Sequence, residues 1–72
     1  MELSHLRALV VLAELANFAP ASGQLHLSPP AVFGQIHHLE EEIGEKPYEP
    51  VGKGLTLTDA GYVLVEHARG ML

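Results

Sequence analysis

The sequence predicts a mainly α fold, a winged helix-turn-helix with three helices, a short two-stranded wing and the start of a further helix. Three observations predict it. The stretch from Leu27 to Gly44 carries a full set of helix start, stripe and stop signals. A shorter helical segment ends just before it, leaving only a few residues for a turn. Two β-prone pieces, Tyr48 to Val51 and Leu55 to Leu57, then flank Gly52-Lys53-Gly54, which suits a hairpin tip.

The first helix is expected over residues 2–16. Leu3, Leu6, Val10 and Ala13 give its core stripe, widened by Leu9 and Ala16. Val11 and Leu15 fall on the other side, either as scattered surface residues or as a contact surface for another subunit. Asn17 ends this helix. The second helix is expected from Ala19 to His26, with Pro20 at its start and with Phe18, Ala21 and Leu25 facing the core. It is the weakest, because Ala19 is a poor N-cap and Gly23 costs about 1 kcal/mol relative to alanine. His26-Leu27 forms the turn.

In the third helix Ser28 is the N-cap, Pro29 occupies the first helical position and Gly44 lies just past the end. Val32, Ile36, Leu39 and Ile43 form one apolar stripe. At about 100° per residue, Pro30, Gly34, His37 and Glu41 lie opposite, with Ala31 and Phe33 on the flanks. One face is core and the other is small or polar enough to enter a narrow space. Beyond it, Pro47 and Pro50 cannot donate to a ladder, so the first wing strand is expected at an edge or nearly absent. Thr58 caps the last helix and Asp59 complements its dipole. Ala60, Leu64, Ala68 and Met71 form its stripe, with Val63 beside it. No stop signal precedes Leu72, so this helix reads as cut.

The totals narrow the function. A chain of 72 residues is one domain with a small core. The absence of cysteine excludes disulfides, thiolate chemistry and cysteine-based zinc sites, and fits the expected cytoplasmic location. No apolar run approaches the roughly 18 residues of a membrane span, so no membrane partner is expected. Ser22 and Ser28 lack an evident His–acid pair, and His37 with Glu41 lacks a third ligand. No enzyme activity, cofactor or metal is therefore expected. The net charge is −5, with only Arg7, Lys46, Lys53 and Arg69 as fixed cations, and taken alone it argues against nucleic acid.

The motifs argue the other way. Leu3…Leu6…Leu12-Ala13-Glu14…Asn17-Phe18, then Leu25-His26-Leu27-Ser28-Pro29-Pro30-Ala31-Val32, Gln35-Ile36…Leu39-Glu40-Glu41-Glu42-Ile43-Gly44 and Leu57-Thr58-Asp59-Ala60-Gly61 follow one another in order. This run resembles the N-terminal domain of LysR-type transcriptional regulators over essentially the whole chain. The resemblance implies a winged helix-turn-helix DNA-binding domain over residues 1–58, with the helix-turn-helix at about 18–37, and the truncated start of a linker and dimerisation helix over 59–72. It implies that the third helix enters the major groove of double-stranded DNA and that the wing touches the flanking backbone. It also implies a homodimer or higher homo-oligomer of the full-length protein, built through the linker helix, and a separate small-molecule sensor domain. The chain departs from the family's pattern where it has Phe33 and Gly34 in place of serine and a polar or basic residue. Ala21-Ser22-Gly23-Gln24 is uncharged, and the wing keeps only Lys46 and Lys53.

Residue chemistry supplies the candidate DNA contacts. Pro30 and Ala31 suit a thymine methyl, and Phe33 suits a methyl or a sugar. Ser28 and the free backbone N–H groups at the start of the third helix, which Pro29 opens, suit a phosphate. Gln35 suits a backbone contact, and Gly34 permits close approach. His37 and His38 are the only potential cations of this helix, and imidazole changes charge near pH 6.5. DNA binding is thus expected to strengthen from about pH 7.5 toward 6. Glu40, Glu41 and Glu42 oppose the dipole and repel phosphate, so only the first half of the helix is expected to insert. Lys53 at the wing tip is the best single phosphate contact. The alternative reading is an acidic winged-helix protein-interaction module with lost or weak DNA binding. A basic surface around Ser28 and Lys53 favours DNA, and an acidic or apolar one favours a protein.

Overall fold

Helix α1 (Leu3–Leu15) is the hub on which the other helices pack. The computed structural model describes residues 1–71. After α1 come α2 (Phe18–Leu25), α3 (Pro29–Ile43), strands β1 (Tyr48–Val51) and β2 (Gly54–Leu57), and α4 (Asp59–Met71). This is the winged helix-turn-helix architecture expected from the sequence. Because α2, α3, α4 and β2 all meet α1, that helix is apolar over most of its circumference. Leu6, Ala8, Leu9, Val10, Val11 and Leu12 are all buried. Two expectations are corrected by this all-round packing. Val11 is only 8% exposed and belongs to the core, whereas Leu3, at 53%, lies on the surface. Ala16 is not part of a stripe. It terminates the helix in the left-handed region, with φ 55° and its N–H donating to Leu12 C=O.

Helix α2 starts earlier than expected, because Asn17 begins it rather than ending α1. The Asn17 carboxamide oxygen accepts from Ala19 N–H at 3.1 Å. Pro20 then occupies the third helical position, where an N–H has no intrahelical partner in any case. His26 is not helical but forms the left-handed turn, with φ 56°. Leu27 N–H closes the turn on Ser22 C=O at 3.0 Å. In α3 the expected stripe holds: Val32, Ile36 and Leu39 are buried, and Ile43 packs against the core. Gly44 caps it at φ 76°.

The wing is an antiparallel pair with Tyr48 opposite Leu57 and Pro50 opposite Leu55. The first strand, expected at an edge or nearly absent, is formed as an edge strand, and β2 begins at Gly54. In a two-stranded sheet both strands are edges, so a proline is tolerated. Gly52, at φ 58°, supplies the positive dihedral of the tip. Helix α4 is capped by Thr58, whose Oγ1 accepts from Gly61 N–H at 3.2 Å. Its inward face is Gly61, Leu64, Val65 and Ala68. Met71 and Val63 are instead exposed, at 58% and 62%. At about 100° per residue Val63 lies about 200° round from Gly61, whose side of the helix meets the Pro47 carbonyl, whereas Met71 follows Leu64 by seven residues and is exposed in the last turn of the helix. The expectation for 59–72 ends at Leu72, which lies outside the described residues. No helix among the described residues is long and apolar enough to cross a membrane.

Candidate nucleic-acid interface

Helix α3 presents Pro30, Ala31, Phe33, His37 and His38 to solvent, with Gly34 and Gln35 half-buried beside them. Ser28 and Pro29 are exposed at its start, and Lys53 is exposed at the wing tip. The N-terminus of α3 differs from the expectation of free N–H groups. Pro29 and Pro30 have none, Ala31 N–H donates to Ser28 Oγ at 3.3 Å, and Val32 N–H donates to Ser28 C=O at 3.1 Å. The first turn is closed by its own residues. What remains for a phosphate is the Ser28 hydroxyl proton, since Oγ is used only as an acceptor.

Two grooves flank this helix. The wing-side groove, about 420 Å³, runs between Phe18, Phe33, Tyr48 and Pro50 to Lys53 at the tip. An aromatic ladder forms its wall. Phe33 lies nearly parallel to His37 at 6.3 Å and leans on Phe18 at 6.2 Å, and Phe18 meets Tyr48 edge-on at 5.5 Å. Phe33 therefore packs on the domain and still exposes 53% of its surface. Burial, with Glu40 second, pushes the Tyr48 phenol above its usual range. The turn-side groove, about 320 Å³, is lined by Ser4, Arg7, Gln24, His26 and Gln35 among others. Among the described residues, neither lining contains a carboxylate.

The two histidines of α3 fall into different groups. His37 joins Phe33 in the wing-side ladder, with Glu41 3.8 Å from its Nε2. His38 stacks on His5 of α1 at 5.2 Å. The acidic run is also divided: Glu40 lies 3.7 Å from Lys46 Nζ, and Glu42 pairs with the N-terminal amine at 2.7 Å. Among the described residues no group of His, Asp or Glu is placed to hold a metal ion.

Sequence reasoning missed Arg7, which the packing of α1 brings beside Gln35 and the turn. The available signal was a polar strip: Ser4 and Arg7 are three apart, on the side of α1 that its apolar residues leave free. It also missed the second role of Asn17, whose Nδ2 donates to Lys53 C=O at 3.3 Å.

Residues 3–62 match the profile described as bacterial regulatory helix-turn-helix protein, lysR family. The chain belongs to this LysR family. It is 39% identical to the HTH-type transcriptional regulator TfdT of Cupriavidus pinatubonensis, over 100% of this chain and 32% of that protein. It is 43% identical to the regulator TfdS of the same organism, over 100% of this chain and 24% of that protein. The chain thus spans a quarter to a third of the length of these LysR-type relatives. Among solved structures, the CbnR DNA-binding domain in complex with DNA superposes with a TM-score of 0.92 at 35% identity, covering 99% of this chain and 82% of that one. The BenM DNA-binding domain on catB site 1 DNA gives 0.91 at 32%, covering 99% and 79%.

Proposed function

We propose that residues 1–58 are the sequence-reading DNA-binding domain of a transcriptional regulator and that residues 59–72 begin its linker helix. One observation carries the reading. The exposed face of α3 lies between two grooves, each bearing one fixed cation, Arg7 or Lys53, and no carboxylate among the described residues. That is the charge pattern that favours DNA over a protein partner. The likeness to CbnR and BenM domains solved on DNA supports it.

In this reading α3 enters the major groove by its first half. Pro30, Ala31 and Phe33 meet base edges and thymine methyls, and Gly34 lets the backbone approach. His37 stands at the wing-side rim. Ser28 and Gln35, with Arg7 beside them, hold one strand's phosphates, and Lys53 holds the other flank. Pro29 shapes the entry to the helix, and His38 is a peripheral contact on the α1 side. So few cations give weak binding by one domain, and pairing of two copies through the continued α4 supplies the rest. Exposed Tyr62, Val63 and Met71 on α4 support that pairing. The function is regulatory rather than enzymatic, and its place is the cytoplasm, where the chromosome is.

The test is fluorescence anisotropy at low salt with an inverted-repeat duplex enriched from a random pool, against a scrambled duplex of equal composition. Preferential binding to the enriched duplex is expected. Equal affinity for both would refute sequence reading, and no binding at all would refute the DNA-binding function.

A further inference from the structure

The wing tip is tied to the corner between α1 and α2 by contacts that converge on two residues. Leu55 N–H donates to Ala16 C=O at 3.0 Å. Gly54 lies so close that a Cβ there would stand 2.6 Å from the same carbonyl oxygen. One residue on, Asn17 uses both ends of its carboxamide. Oδ1 accepts from Ala19 N–H at the start of α2, and Nδ2 donates to Lys53 C=O across a separation of 36 residues. The side chain that starts the helix-turn-helix therefore also holds the backbone of the lysine at the wing tip.

The geometry points to Asn17 as a positioning residue for DNA binding: it fixes Lys53 relative to α2 and α3, so that the phosphate contact of the wing and the base contacts of α3 are made in one register. This rests on the reading of Lys53 as a phosphate contact. The two-residue tip is closed by the Val51–Gly54 pair, but Gly52 imposes little restriction on it and the Lys53 side chain is exposed. A tip held before binding loses less entropy on meeting the phosphate. The Ala16 bond fixes Leu55, inside the strand, and Asn17 is the side chain that reaches the tip itself.

The discriminating substitution is Asn17→Ser. Serine equals asparagine as an N-cap, so the start of α2 is kept. It is neutral, so the field at the DNA is kept. Its hydroxyl is too short to cap and reach Lys53 C=O together. The 72-residue chain and its Asn17→Ser, Lys53→Ala and doubly substituted forms are compared by 15N relaxation without DNA and by anisotropy over a salt series with the enriched duplex. The expected results for Asn17→Ser are unchanged melting, lower order parameters confined to Lys53 and Gly54, and a salt slope shallower by up to about 0.9, the value of one phosphate contact. Lys53→Ala should lose that contact in the native background and cost little more once Asn17 is replaced.

A tip that stays rigid in Asn17→Ser overturns the proposal, as does a mobile tip with unaltered affinity and slope. Full additivity of the two substitutions overturns it too, since coupled residues should not add. If Lys53→Ala itself leaves the slope unchanged, the phosphate reading of Lys53 fails and Asn17 has nothing to position. The relaxation data then still report whether the tether holds the tip, so the two failures are told apart.

Discussion

Replacement of Gly61 by alanine should break the joint between the wing and α4. Its Cβ would collide with the Pro47 carbonyl oxygen and stand 3.1 Å from Leu57 Cδ2. The methyl of Leu57 can swing aside, but the carbonyl cannot do so cheaply. It accepts from Thr58 N–H at 3.1 Å, while the Thr58 hydroxyl donates to Lys46 C=O at 2.6 Å. Relief therefore means moving α4 outward and losing at least one of the capping bonds. Overpacking of this kind costs about 1–3 kcal/mol, and the site belongs near the top of that range because the obstacle is backbone. A lost capping bond adds about 1 kcal/mol, and alanine's better helix propensity returns a similar amount. The net is destabilisation by about 3 kcal/mol. At roughly 4–8 °C per kcal/mol for a domain of this size, the melting temperature should fall by more than about 10 °C. Thermal and urea unfolding followed by circular dichroism measure it, with Gly23→Ala as the control. Nothing lies within 4 Å of a Cβ at Gly23, so that substitution should stabilise by up to about 1 kcal/mol. Equal effects of the two changes, or a Gly61→Ala domain that melts at the native temperature, would refute the steric argument.

Three further outcomes are expected. Gly34→Ala should raise the melting temperature, because a Cβ there meets open space, yet lower affinity for the enriched duplex if the α3 backbone approaches DNA closely; a rise in both would remove Gly34 from the interface. His37→Ala should weaken binding to the enriched duplex more than His38→Ala, because His37 stands with Phe33 at the wing-side rim whereas His38 is stacked on His5 of α1; equal losses, or none, would remove His37 from the interface. Tyr48 keeps its proton in the folded state beyond its usual value of 10.0, by burial and then by Glu40. The folded state then binds more protons than the unfolded one above that pH, so stability falls as pH rises through this window. Tyr48→Phe should lessen the alkaline loss seen in urea titrations at rising pH, and an identical loss in both proteins would sink the assignment.

Local signals carried most of the fold. The stripe Val32, Ile36, Leu39 and Ile43 and the caps Ser28, Gly44 and Thr58 depend on neighbours in sequence, and they are found as expected. What was not legible depends on partners distant in sequence. Val11 is buried only because α1 is surrounded, and Gly61 belongs to the inward face of α4 because that side meets the Pro47 carbonyl. Asn17 is ambiguous by itself, since asparagine both ends and begins helices. Its bond to Lys53 spans 36 residues, and no periodicity announces such a contact. The closed N-terminus of α3, by contrast, is written in Ser28-Pro29-Pro30: two residues without N–H, then a hydroxyl placed to take the next.

The acidic net charge illustrates why a whole-chain sum is a poor guide to an interface. A charge of −5 describes the field far from the molecule, yet at physiological salt charges fade over roughly 8 Å. The domain measures 24 × 23 × 20 Å, so carboxylates on one side contribute little at a phosphate on the other. What matters there is the local inventory. Glu40 and Glu42 lie beside Lys46 and the N-terminal amine, Glu41 beside His37, and Glu14 and Glu66 line a depression between α1, β2 and α4 with Arg69. The linings of the two grooves beside α3 include Arg7 and Lys53 and, among the described residues, no carboxylate. The distant charge still acts on encounter, where it slows the approach to DNA at low salt. Added salt should therefore weaken binding less steeply than in a basic domain making the same phosphate contacts. The few cations are thus an argument about affinity and rate, and the placement of Arg7 and Lys53 is the argument about which surface meets the nucleic acid.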